Sequence, residues 1–514
     1  MQHRPICRPR PRRRRTTAVL GAAAAVALTA CGSQVPPGQF FDGQGTRQVD
    51  AQGVDGVGPS SSDPTAAGTL APNGGATTGG TAPGAVTNSD VPGGGGGSKV
   101  PAGGSGGATA AGGGGGGGGG HKTASNPAPG SSVHAGSCAG FSNSTGITDS
   151  QVTIANVADI SGPVPNLFKS AQSAVAAYVA YFNSTSSICG RKLRLLPLDS
   201  GTSENIDQQA DTTACSSAFA EVGSLGAFDA GGASVAANCG IPDIRAFSTE
   251  PARFTSPVSY GAYSLAINLV PSAPFTYFKT LGDAYQHAAF VYLNAGAAIV
   301  NAKSYMAAEE KLGFDYKDQV AIDVTSVPNY GAIVQQLKGD GIKYVQYMGA
   351  YQYAVSLKSA MYQQNYNPVF VMDPTGYDAD YVSAGKPVDG TYSFVPAPLF
   401  EEADKNPELQ TYLAWLKRTS GGTPTFFGVY AWAAADMFTQ LAVQLGGKLT
   451  RASLLQAVRG VRNFTDNGMV PPQNPGIKQT GKCLSVVQLV NGKWVRKTPY
   501  PYTCGSLINS GVGG

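Results

Sequence analysis

The stretch QVTIANVADISGPVPNLFKSAQSAVAAYVAYFN, residues 151–183, decides the fold class. Its first part, QVTIANVADISGP (151–163), is rich in apolar and β-branched residues and leads into a Gly-Pro loop, which predicts a strand followed by a turn. Its second part, NLFKSAQSAVAAYVAYFN (166–183), has apolar residues at helical spacing and predicts a helix. A strand that runs directly into a helix indicates an α/β fold.

The same alternation continues along the chain and predicts α/β architecture with two doubly wound parallel-sheet domains, one before and one after about residue 270. The chain ends in a predicted hairpin, CLSVVQLV-NG-KWVRKT, with a two-residue turn at Asn491-Gly492. The other predicted strands are 191–200, one that ends within 223–232, 241–247, 288–294, 318–325, 343–348 and 368–373. The other predicted helices are 204–222, 233–240, 298–313, 330–341, 354–366, 407–418 and 430–446.

Ligands of open parallel sheets bind outside the carboxyl ends of the strands, so the loops that follow the strands are the candidate binding segments. In this chain they are DISGPVPNLF, LGAFDAGG, AFSTEPARF, LNAGAA, MGAYQY and MDPTGYD.

The N-terminus has the features of an export leader. The first 15 residues hold seven arginines and no acid. About fifteen small or apolar residues follow, fewer than the roughly 20 of a membrane span. The run ends in Leu28-Thr29-Ala30-Cys31, which resembles the bacterial lipobox. That resemblance implies a lipoprotein signal peptide over 1–30 and a diacylglycerol on Cys31; the alternative is a plain signal peptide that happens to contain a cysteine.

Residues 31–137 are predicted to be a disordered tether, because they are rich in Gly, Ala, Ser, Thr and Pro and have too little apolar surface to offset the entropy of ordering. The chain has 36 basic and 32 acidic residues, but seven of the basic ones lie in the leader. The rest of the chain is therefore 29 against 32, near −3, which gives no argument for a nucleic-acid partner.

Candidate catalytic and metal-binding residues are few. His287 is the single histidine of the globular part, and that part contains no G-x-S-x-G motif and no C-x-x-C pair. The glycine run 112–120 matches phosphate-loop patterns only trivially, since no strand precedes it and no helix follows it. We expect no enzyme activity, no metal and no cofactor.

The segment ITDSQVTIANVADISGPVPNLFKSAQSAVAAYVAYFN, followed by CGRKLRLLPLDS, resembles the opening of extracytoplasmic solute-binding proteins of ABC importers, of the branched-chain amino acid type. The resemblance covers roughly 146–510. It implies the type I periplasmic-binding-protein fold, in which two α/β lobes are joined by three hinge crossings and close around a small ligand. We expect a first lobe at 138–268 plus 396–462, a second lobe at 269–395 plus 463–510, and crossings near Asn268, Val395 and Asn463.

The resemblance also implies which loop residues hold the ligand. In the family, hydroxyls and backbone N–H groups of the first lobe bind an amino acid's carboxylate, and the second lobe supplies aromatic walls and an acid. Asp229 stands where the family tends to have serine, Thr375 stands in place of the family's acid, and LNAGAA lacks an aromatic, so the ligand stays open. The expected ligand-binding residues are Ser161, Phe168, Asp229, Ser248, Thr249, Tyr351 and Asp373.

Six cysteines fall in the globular part. An even number in an exported protein indicates disulfides, although six cysteines allow fifteen pairings. One pair lies on successive helices that flank a predicted strand, one pair brackets the last hairpin, and the remaining two precede neighbouring strands of the first lobe. We therefore predict the bridges Cys138–Cys189, Cys215–Cys239 and Cys483–Cys504.

Together these features predict a monomeric protein held by a lipid on the outer face of a bacterial cell membrane. It would capture a small polar solute, an amino acid or a related compound, and deliver it to an ABC permease. The alternative is a surface sensor or interaction lipoprotein that uses the same fold without transport.

Overall fold

The computed structural model describes residues 135–513. The predicted leader and the predicted tether up to residue 134, with Cys31, lie outside the described residues. The strands are β1 (Gln151–Ala158), β2 (Lys192–Asp199), β3 (Ala220–Val222), β4 (Asp243–Arg245), β5 (Ser259–Gly261), β6 (Leu269–Pro271), β7 (Ala288–Leu293), β8 (Tyr316–Ile322), β9 (Tyr344–Met348), β10 (Val369–Met372), β11 (Tyr392–Val395), β12 (Cys483–Val490), β13 (Lys493–Arg496), β14 (Thr503–Cys504) and β15 (Leu507–Asn509). The α-helices are α1 (Lys169–Thr185), α2 (Glu204–Ser217), α3 (Ala233–Cys239), α4 (Pro251–Thr255), α5 (Ala273–Phe278), α6 (Ala297–Lys311), α7 (Tyr330–Gly339), α8 (Tyr351–Gln363), α9 (Ala379–Ser383), α10 (Pro407–Thr419), α11 (Phe426–Leu445) and α12 (Arg451–Arg459).

The first sheet has the order β2-β1-β3-β4-β5, and all of its strands are parallel. Side chains of a strand point alternately to the two faces of the sheet. In β1, Ile154 packs into the core under α1 and α11, and its neighbour Ala155 packs with Ala214 of α2 and Ala236 of α3. Helices therefore cover both faces of the first sheet, as the apolar strands predict.

The second sheet has the order β13-β12-β11-β10-β9-β7-β8. Strands β7 to β11 pair in parallel, and β12 and β13 add an antiparallel hairpin at one edge. The hairpin turns at Asn491 and Gly492, both of which have positive φ, as predicted from the Asn-Gly pair. The predicted fold class, α/β with two doubly wound parallel sheets, is confirmed.

One predicted element is too long. The sequence predicts a helix over 204–222, whereas α2 ends at Ser217 and β3 occupies Ala220–Val222 at the centre of the first sheet. The cause is Glu221. A central strand of a parallel sheet is expected to be apolar, but the charged Glu221 side chain is fully buried on β3.

The three predicted disulfides are confirmed as Cys138–Cys189, Cys215–Cys239 and Cys483–Cys504. Just before Cys138, the Gly136 N–H donates to the Val443 carbonyl and the Ser137 carbonyl accepts from the Gly447 N–H. The last two residues of the predicted tether are therefore bonded to the end of α11 and the segment after it.

The chain segment after α12 stays beside the first sheet. Asn467 donates to Glu408 of α10, and the Lys478 ammonium donates to the carbonyl of Phe254 in α4. The Thr480 hydroxyl then bonds the backbone of Ala266, which lies on the first connection between the sheets. We therefore propose that the third crossing lies near Thr480 and not near Asn463; the other lobe boundaries stay a prediction.

Among residues 135–513, no helix has the length and apolar character that crossing a membrane requires. Within the same range, no group of three or more His, Cys, Asp and Glu residues is arranged to hold a metal ion.

Candidate ligand-binding site

The loops at the carboxyl edge of the first sheet are tied together by Asp159, the residue after β1. Its buried carboxylate accepts hydrogen bonds from the Ser200 hydroxyl (2.6 Å), the Thr202 N–H (3.0 Å) and the Ala227 N–H (2.7 Å). Burial raises the pKa of Asp159, and these hydrogen bonds oppose that rise. The loops that follow β1, β2 and β3 are thus fixed to one carboxylate, a role that the sequence did not indicate.

Asp229 and Thr249 join the loops that follow β3 and β4. The Asp229 carboxylate accepts from the backbone N–H groups of Thr249 (2.9 Å) and Glu250 (3.0 Å), and the Thr249 hydroxyl donates to the Gly226 carbonyl at 2.5 Å. The Arg245 guanidinium lies 3.1 Å from the same carboxylate, and both side chains are buried. Burial raises the pKa of Asp229, and the two arginines Arg245 and Arg253 oppose that rise.

These contacts change the interpretation of two expected ligand residues. Both donors of Thr249, its N–H and its hydroxyl, are used inside the protein, and the charge of Asp229 is balanced by Arg245. Asp229 and Thr249 therefore hold the loops that follow β3 and β4 in position. Ser248, the neighbouring hydroxyl, lines a small pocket beside Tyr263 and Lys478.

An aromatic cluster, in which Phe168 and Phe247 are buried, lies in the first lobe. Phe168 meets Phe427 edge to face, with ring centroids 4.9 Å apart, and Phe247 lies 6.1 Å from Phe427. Phe427 belongs to the first turn of α11, far from the other loops in sequence, so no local pattern could have identified it. Ser161 is exposed nearby, and its N–H donates to Asp199.

The expected residues of the second lobe lie on two adjoining loops. Tyr351 begins α8, is half-buried, and donates its hydroxyl to Asp380 at 3.2 Å. Asp373 follows β10 and accepts a hydrogen bond from the N–H of Thr375 (3.0 Å). The Thr375 hydroxyl donates to the Gly349 carbonyl at 2.7 Å. Burial raises the pKa of Asp373 to about 6, so its carboxylate is mostly ionised at neutral pH.

The loops of the two lobes touch at one side of the cleft. The Ala297 N–H at the start of α6 donates to the Ala227 carbonyl at 2.9 Å, and the Asn301 side chain donates to the Thr249 carbonyl at 3.2 Å. These two hydrogen bonds join the loops that follow β3 and β4 to the first turns of α6, and the expected ligand-binding residues stay a prediction. Phe228, which lies at this contact, was not among them.

Comparison with known proteins identifies the family to which this architecture belongs. The family model described as periplasmic binding protein matches residues 151–493. No curated protein sequence matches the chain.

Solved structures with the same fold share little sequence with it. A leucine-binding protein from Thermotoga maritima is 15% identical, with 70% of this chain and 99% of that chain covered and a TM-score of 0.56. A fatty acid ABC transporter substrate-binding protein from Thermomonospora curvata is 16% identical, with coverages of 72% and 95% and a TM-score of 0.59. A solute-binding protein from R. palustris in complex with benzoate is 13% identical, with coverages of 71% and 99% and a TM-score of 0.57. The chain therefore belongs to the periplasmic binding protein family, whose members are extracytoplasmic ligand-binding proteins of transporters and not enzymes.

Proposed function

We propose that this protein is the membrane-anchored substrate-binding component of an ABC importer. It captures a small polar solute between its two lobes and delivers it to a permease, and a lipid on Cys31 anchors it. The observation that carries the proposal is the cleft itself, in which loops from the carboxyl ends of two parallel sheets face each other and touch at Ala227 and Ala297. Ligands of such sheets bind at this edge.

The proposed solute is an amino acid or a related compound with an apolar side chain. Phe168 and Phe427 offer an apolar wall from the first lobe, and Tyr351 offers a ring from the second. Ionised Asp373 can pair with an amine, and Ser248 can offer its hydroxyl. The similar structures are named for leucine, a fatty acid and benzoate, each of which joins a polar group to an apolar body.

A thermal-shift screen of amino acids, amides, polyamines and short-chain acids tests the proposal, because a ligand that binds only the folded state raises the melting temperature. Uptake of the compound that binds, measured in cells with and without this protein, separates transport from sensing.

For the compound that binds, Tyr351→Ala should weaken affinity about tenfold, since burying an aromatic ring against a ligand contributes on the order of 1–2 kcal/mol. Tyr362→Ala is the matched control, because Tyr362 lies on the same helix and is 47% exposed. Titration calorimetry measures both variants. Equal affinity for Tyr351→Ala and the parent would remove Tyr351 from the site.

A further inference from the structure

A direct backbone hydrogen bond joins the two lobes. Ala227 offers its carbonyl oxygen to the N–H of Ala297, 2.9 Å away across the cleft. Ala297 is the first residue of α6, and the first N–H groups of a helix have no partner within the helix. The Ala297 N–H is therefore hydrogen-bonded only while the Ala227 carbonyl of the first lobe lies against it.

Gly296 makes this approach possible. Its φ is +49°, a conformation that favours glycine, and a Cβ on it would lie 2.6 Å from the Ala227 carbonyl oxygen and 3.1 Å from the Phe228 ring. Both neighbours belong to the opposite lobe, and the nearer one is backbone that cannot swing aside. The half-buried Phe228 ring thus lies against Gly296, in a stretch, LNAGAA, that has no aromatic of its own.

We propose that Ala227, Phe228, Gly296 and Ala297, together with the Asn301–Thr249 contact, form a latch that stabilises the closed form, and that Gly296 and Phe228 are positioning residues for solute capture. The inference rests on the proposed function in one respect only, that a solute is held by closure.

The latch has a consequence that ligand contacts do not share. The affinity of a protein that closes on its ligand depends on the free-energy difference between its open and closed forms. Latch atoms shift that difference whatever solute is bound. A change in the latch should therefore alter the affinities for all solutes by one common factor, whereas a change at a ligand-contacting residue alters their ratio.

Hydrogen–deuterium exchange of the full chain without any solute, resolved to single amides, tests the latch. Gly296→Ala should speed exchange of the Ala297 amide about tenfold after correction for the intrinsic rate, which corresponds to the loss of one hydrogen bond. Gly341→Ala is the matched control, because Gly341 also has positive φ (+67°) but its Cβ would meet nothing within 4 Å. It should leave the Ala297 amide as slow as in the parent.

Phe228→Ala gives a second variant, which places no strain on Gly296 and should also speed exchange at Ala297. If neither variant speeds that exchange, or if Gly341→Ala speeds it equally, the latch is wrong. The affinities for two compounds from the screen should fall by the same factor in Phe228→Ala, and a change in their ratio would contradict the latch. Because the exchange experiment uses no solute, its failure leaves the proposed function standing, and an unsuccessful screen does not affect the exchange result.

Discussion

Arg253→Met should lower the free energy of unfolding by about 3–5 kcal/mol, because it leaves buried carboxylates without their cation. Arg253 is fully buried. Its guanidinium donates to Asp211 (2.8 and 3.1 Å) and Asp207 (3.1 Å) and lies 3.5 Å from Asp243. Its Nε donates to the Asp229 carbonyl, so the loss would also loosen the candidate binding loops. Denaturant unfolding of parent and variant measures the difference.

The pH dependence of that loss separates charge from packing. Burial raises the pKa of Asp207 to about 7, and Arg253 opposes the rise. Without the arginine, Asp207 should bind its proton at still higher pH, so the deficit should be largest near pH 8 and shrink near pH 5. Arg418→Met is the control, since Arg418 is exposed and lies over the Trp415 ring, and it should change stability by less than about 0.5 kcal/mol. A deficit that is equal at both pH values would assign the loss to a cavity.

Cys31→Ala should release the protein from the membrane almost completely or leave an uncut precursor, because the proposed lipid is attached to that thiol. Two acyl chains are enough for stable anchoring where one is not, so losing both abolishes the attachment. Immunoblots of membrane and medium fractions measure the change. Cys7→Ala, a substitution within the leader, should leave the protein in the membrane fraction. A Cys31→Ala protein that loses its leader and stays in the membrane would contradict lipid anchoring.

The strands and bridges of the fold could be predicted because their signals are local. Apolar runs such as 288–294 and the Asn491-Gly492 turn each carry their own pattern, and each predicted disulfide joins cysteines beside neighbouring elements. Strand β3 was predicted to end too late, within 223–232, and its residues were assigned to a helix, because Glu221 belongs to a buried charged cluster. The partners in that cluster come from separate elements, as with Asp211 and Arg253, 42 residues apart.

The candidate site also has a part that could be predicted from the sequence and a part that could not. The loops were predictable, since a parallel sheet presents its carboxyl ends at one edge. The roles of Asp229 and Thr249 could not be predicted, because they depend on which hydrogen-bonding groups face them after folding. In the folded chain their partners are other groups of the protein. Phe427 and Phe228 were missed because their neighbours come from other segments or from the opposite lobe.

Both proposals require that a solute is captured by closure of the two lobes. Small-angle X-ray scattering of a protein that comprises residues 135–513, with and without a saturating compound from the screen, measures this closure. We expect a smaller radius of gyration with the compound bound, because contacts to both lobes stabilise the closed form. Saturation by the compound with an unchanged radius of gyration would contradict it.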